Sequence, residues 1–144
     1  MQEKLQHRIA RFEQAINRLK KYSTLRLDEL FEKDVFPAVE REVHVAIEAL
    51  LDVGNAIIAA EGWTPPKTYK SIPRELRAHD VFTETEAEWA EELTGLRNIL
   101  VHLYADVDYK LLHEELPLFI ERVSNLMAKL LRYLDERGLD PPLP

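Results

Sequence analysis

Apolar residues return at steps of three and four along most of this 144-residue chain, and nowhere do they alternate with the period of two that a half-buried strand requires. That pattern confines the fold to packed helices. Leu5, Ile9, Phe12, Ile16 and Leu19 mark one face of a first helix running to about Tyr22, with Lys20 and Lys21 suited to its C-terminal end. Residues 23–33 read as a short helical connection. A long helix is expected from near Asp34 to Glu61, with Pro37 tolerated in its first turn and Gly62 as its stop. Its apolar positions fall in two stripes, Val39, Val43, Ile47, Leu50, Gly54 and Ile57 in one and Val45, Ala49 and Ala56 in the other, so burial on more than one side is expected.

Residues 63–70, with Pro65 and Pro66, read as a loop, and Ser71 is placed to cap a short helix that has Pro73 near its start. Thr83 followed by Glu86 has the form of a capping box, opening a helix through Leu93, Leu96, Leu100 and Leu103. Asp106 or Asp108 caps the last helix, whose face is Tyr109, Leu112, Leu116, Phe119, Val123, Leu126, Leu130 and Leu134. Pro117 is expected to kink it, and Gly138 with Pro141 and Pro142 to end it. The fold class is therefore all-α: an up-and-down bundle of four long helices plus one or two short ones, as a single domain over residues 1–144.

The absence of cysteine excludes disulfide frameworks, thiolate metal sites and cysteine nucleophiles, and a chain of this length can bury a core without such staples. The charged N-terminus lacks the apolar centre of a signal peptide and no apolar run approaches membrane-spanning length, so a cytoplasmic protein with no membrane partner is expected. The net charge of −7 is the wrong sign for holding nucleic acid by charge alone. It is unevenly distributed. Residues 1–22 carry Lys4, Arg8, Arg11, Arg18, Lys20 and Lys21 against Glu3 and Glu13, a local +4, which reads either as a phosphate footprint or as an ordinary solvated face.

Chemistry concentrates in residues 94–106, TGLRNILVHLYAD. Arg97, His102 and Tyr104 there match the signature of the HEPN family: an arginine, a polar residue, a short spacer, a histidine and, in the HepT branch, a tyrosine two positions on. The stretch Val39-Glu40-Arg41-Glu42-Val43-His44-Val45-Ala46-Ile47-Glu48 also resembles the long helix of HepT proteins, and residues 52–55 and the motif's place before the last helix agree. The chain thus resembles the HepT-type ribonuclease toxins over nearly its whole length. It departs from them at His44, where glutamine is expected.

The resemblance implies metal-independent RNA cleavage, in which the ribose 2′-hydroxyl attacks the neighbouring phosphate; DNA lacks that hydroxyl and is excluded. In this reading His102 is the general acid or base and Arg97 holds the charge that develops on the phosphate. Asn98, one turn before His102, could orient the imidazole or bind a phosphate oxygen, and Glu48 or Asp52 could support the pair from the long helix. No cofactor or metal is implied. Tyr104 is implied to be the target of adenylylation by a minimal nucleotidyltransferase antitoxin, a modification that would place bulk and negative charge beside the phosphate site. The same residues have plainer readings: Arg97 as one half of an ion pair, His102 as a hydrogen-bonded interior imidazole, Tyr104 as a core or interface aromatic. Arg41, His44, Glu48 and Asp52, at steps of three and four, read equally as a polar network or a dimer seam.

At about 100° per residue, Leu96, Ile99, Leu100 and Leu103 fall on one side of their helix, while Thr94, Arg97, Asn98 and His102 span the opposite arc. Arg97 and His102 are roughly 140° apart on an ideal helix, so spacing alone does not join them. The resemblance and the apolar excess of the long helix together imply a homodimer in which two such polar arcs meet in one cleft, which is then expected to be locally positive. A rival metal site finds His44 with Glu48 and His102 with Asp106 at helical spacing, but no histidine has glutamate three residues before it, as di-iron bundles do. The rival from another class is a non-catalytic HEPN-fold module that binds a protein or a nucleotide. The four glycines stand singly, so no phosphate-cradling loop is encoded.

Overall fold

The computed structural model describes residues 2–102 and 108–139, with side chains over residues 3–96 and 108–139. Among these residues the elements are α1 (Gln2–Ser23), α2 (Leu27–Glu32), α3 (Phe36–Glu61), a 3-10 turn (Tyr69–Ser71), α4 (Ile72–Ala78), α5 (Glu84–His102) and α6 (Tyr109–Glu136). Four long helices and two short ones form the bundle. The central member is α3, against which α1, α4, α5 and α6 all pack. This is why its apolar residues run around the helix: Val43, Ala46, Ile47, Val53 and Ile57 are fully buried, and Ala49 of the second stripe is buried too. Each large aliphatic side chain removed from water in this way contributes about 1.5–3 kcal/mol.

By length and composition α3 could cross a membrane, which corrects the expectation that no segment qualifies. Burial among four neighbours is the simpler cause of its apolar character. That burial also consumes much of the apolar excess that pointed to a dimer, since of the second stripe only Val45 and Ala56 stay half-buried. Where α3 passes α4 the fit is close: a Cβ on Gly54 would lie 3.0 Å from Leu76 Cδ1 and 3.1 Å from Ile72 Cγ2.

Helix boundaries follow local chemistry. Asp34 has φ of 52°, a left-handed conformation that a right-handed helix cannot contain, so α3 starts at Phe36 rather than near Asp34, still with Pro37 in its first turn. Gly62, with φ of 71°, ends it as expected. Thr83 and Glu86 form the reciprocal box, with Thr83 N–H donating to Glu86 at 2.8 Å and Glu86 N–H to the Thr83 hydroxyl at 3.2 Å. Asp108 caps α6 by accepting from Leu111 N–H at 3.1 Å, and α6 continues through Pro117 without a break in the helix. Ser71 corrects its expected role. Its hydroxyl donates to the Thr68 carbonyl at 2.8 Å instead of capping α4, because the preceding 3-10 turn places that carbonyl nearer.

The face of α5 is also rotated from expectation. Ala87, Ala90, Leu93 and Thr94 are buried while Leu96 is only half-buried. Thr94 therefore belongs to the core and not to a solvent arc. Its hydroxyl donates to the Ala90 carbonyl at 2.8 Å, which satisfies the polar group without leaving the helix. The far end of α3 is tied to α6 by Glu61, which accepts from the Tyr133 hydroxyl and pairs with Arg137 at 3.0 Å; burial and that bond push the tyrosine pKa up to about 12.

Candidate functional site

Arg97, Asn98 and His102 occupy the last two turns of α5, an element held at its start by the Thr83–Glu86 box and along its length by α3, α4 and α6. Arg97 follows Leu93 by four residues and Thr94 by three, so its backbone position lies in the register of the face buried one turn earlier. His102 stands about 140° further round, and helix geometry separates the two α-carbons by about 9 Å. The side chains of Arg97, Asn98, Leu100 and His102, and the whole of Leu103, Tyr104 and Asp106, lie outside the described residues, as do Pro141 and Pro142.

The described part of the polar region is the groove between α1 and α3. His44 and Glu48, one turn apart on α3, approach to 3.5 Å, and Asp52 one turn on lies 2.9 Å from Arg8 Nη1 of α1, a charge contact not aligned as a hydrogen bond. Glu42, only 3% exposed, accepts from Arg11 at 2.6 Å and from Arg18 at 2.7 Å. Burial alone would raise the Glu42 pKa, but the bonds and charges of the two guanidinium groups outweigh it and hold the carboxyl below its ordinary value. Half of the first helix's cations are thus engaged by α3 carboxylates. Arg8, Arg11, His44, Val45, Glu48 and Ala49 line a concavity of about 420 Å³. Arg41, the first residue of the expected stripe, points to solvent, whereas His44, Glu48 and Asp52 are partly covered. Arg8 and Arg11, which share this groove with the stripe, were visible in sequence only as part of a basic segment.

Among the described residues no three histidine, aspartate or glutamate side chains gather as metal ligands.

With this geometry in place, comparison with known proteins identifies the class. The sequence matches the family described as Ribonuclease HepT-like over residues 12–130, which include Glu48, Asp52, Arg97, Asn98, His102 and Tyr104. The chain belongs to the HepT-like family. Its fold is shared with an HEPN toxin of Shewanella oneidensis solved in tri-AMPylated form with an MNT antitoxin, at TM-score 0.77 and 18% identity over 88% of this chain and 95% of that one. It is similar too to a tyrosine mutant of the MntA–HepT toxin–antitoxin, at TM-score 0.74 and 19% identity over 88% and 96% of the two chains. YutE of Bacillus subtilis, described as a cytosolic protein of unknown function, matches at TM-score 0.79 and 23% identity over 95% and 92%. No curated protein matches the chain.

Proposed function

We propose that the chain is a toxin of the HepT type: a metal-independent endoribonuclease whose 2′-hydroxyl chemistry uses Arg97 to stabilise the phosphate and His102 as general acid or base. The observation that carries the reading is the family match over residues 12–130, which spans the whole Arg97–Tyr104 motif. Both residues lie in the last two turns of α5, where an ideal helix sets their α-carbons about 9 Å apart. A histidine titrates near neutral pH and a guanidinium presents forked donors to phosphate oxygens, so the pair supplies both demands of the reaction. Asn98 assists at the phosphate or the imidazole. Glu48 and Asp52 support the pair from α3.

The partners follow from the solved relatives, two of which are toxin–antitoxin assemblies and one of which is AMPylated. In this reading a minimal nucleotidyltransferase antitoxin adenylylates Tyr104, the toxin acts as a cytoplasmic homodimer, and RNA rather than DNA is cut. A second reading, a non-catalytic HEPN-fold module that binds a protein or a nucleotide, is favoured by the net charge of −7.

The two readings separate on one experiment, incubation of purified protein with RNA in EDTA alongside a His102→Ala variant. Cleavage in EDTA that the substitution abolishes supports the ribonuclease. Activity lost in EDTA and restored by added metal would point to metal chemistry, and intact RNA under all conditions would favour the module.

A further inference from the structure

We propose that the groove between α1 and α3 is a docking track for a single-stranded phosphodiester chain. Lys4, Arg8, Arg11 and Arg18, with His7 among them, fall within about 100° of one another around α1, so one face of the helix gathers four of its six Lys and Arg residues. From Lys4 to Arg18 the row is about 21 Å long at the helical rise per residue. Two adjoining concavities lie along it, about 420 Å³ lined by Arg8, Arg11, His44 and Glu48 and about 450 Å³ lined by Lys4, His7, Arg8 and Arg11.

Glu42, Glu48 and Asp52 of α3 face the row and orient its arginines. Glu42 fixes Arg11 and Arg18 through one oxygen each, and Asp52 holds Arg8, yet the Arg8 and Arg18 side chains stay 57% and 48% exposed. Arg11 keeps Nη1 buried at the groove with no acceptor among the described residues. Lys4 and His7 are exposed and form no ion pair with any described residue, so the uncompensated charge, that of Lys4, lies at the N-terminal end of the row. Guanidinium groups held in place by carboxylates present their remaining N–H donors in the forked arrangement that phosphate oxygens accept, and a row of them fits a repeating anion better than a single one. Against the four Lys/Arg of the row stand Glu42, Glu48 and Asp52 of α3, so the groove itself is close to neutral and its excess positive charge is that of Lys4.

The inference rests on the ribonuclease reading only in naming the strand as RNA. Its test uses a fluorescein-labelled, fully 2′-O-methylated RNA of about twenty nucleotides, which has no free 2′-hydroxyl and so reports binding without cleavage. Fluorescence anisotropy is followed across a salt series for the wild-type protein, a Lys4→Glu/His7→Glu variant and a milder Lys4→Gln/His7→Gln variant, with circular dichroism to verify folding. The glutamate variant should bind about tenfold more weakly and with a salt slope smaller by about one, and the glutamine variant should move the same way by less. Affinity and slope unchanged in both variants, or no binding by the wild type at low salt, would overturn the proposal. RNA left uncut by a protein whose binding still depends on Lys4 and His7 would sink the nuclease and spare the track. Cleavage that requires His102 in a protein whose binding ignores both variants would do the reverse.

Discussion

Replacing Glu42 by alanine should destabilise the fold, because among the described residues that carboxylate is the buried anion joining α1 to α3. It is 3% exposed and accepts two charge-assisted bonds, from Arg11 at 2.6 Å and Arg18 at 2.7 Å. Removing one partner of a buried ion pair costs about 3–5 kcal/mol when the other is left dry. Here the arginine side chains are 30% and 48% exposed and can recover part of their hydration, which brings the expected loss to about 2–3 kcal/mol. For a domain of this size that is a fall in Tm of about 5–10 °C. Glu42→Gln should lose less, about 1–2 kcal/mol, since the amide keeps the shape and one acceptor but turns a donor toward the second guanidinium. The pH dependence has a definite sign. The folded carboxyl titrates below its ordinary 4.5, so its contribution is complete above that pH and is lost as the pH falls through the lower folded value. Thermal denaturation followed by circular dichroism at pH 7 and at successively lower pH should therefore show the wild type and Glu42→Gln converging as the pH falls through the folded carboxyl's lowered pKa. A Glu42→Ala protein that melts within about 2 °C of wild type at neutral pH would refute the reasoning.

Gly54→Ala sets a new methyl against Leu76 and Ile72 at 3.0 and 3.1 Å, and overpacking there should outweigh the gain of about 1 kcal/mol in helix propensity, lowering Tm by a few degrees. Asp108→Ala removes the acceptor for Leu111 N–H at the start of α6 and should cost about 1 kcal/mol in urea denaturation, with the slope unchanged. If Tyr104 is the adenylylated residue, mass spectrometry after incubation with the cognate nucleotidyltransferase and ATP should show added AMP on the wild type and none on Tyr104→Phe, and a variant that gains as much AMP as the wild type would contradict the proposed target.

The bundle was legible because most of its information is local. The heptad-like apolar spacing of α1 and α6, the Thr83–Glu86 box and the Gly62 stop each depend on residues within a turn or two of one another. What escaped the sequence depends on distant partners. That Thr94 faces the core follows from where α5 lies on its neighbours, and the second lone pair of the Ala90 carbonyl, one turn back, makes a buried threonine tolerable. Ser71 has the residue type of a cap, but the Thr68 carbonyl competes for its hydroxyl. The basic segment of residues 1–22 gave no hint that Glu42 and Asp52 would engage three of its arginines, since those pairs link positions 24 to 44 residues apart. The motif itself was legible as a resemblance. Helix geometry sets how far apart Arg97 and His102 stand but not what their side chains meet, so the pair was read from residue type and order.

The chemistry of the cut ends tests the central claim most directly. If the Arg97–His102 motif directs attack by the ribose 2′-hydroxyl, RNA incubated with the protein in EDTA yields fragments ending in 2′,3′-cyclic phosphate and beginning with 5′-hydroxyl, and both Arg97→Ala and His102→Ala abolish them. Fragments carrying 5′-phosphate and free 3′-hydroxyl, or cyclic ends still produced by the two variants, would contradict the account.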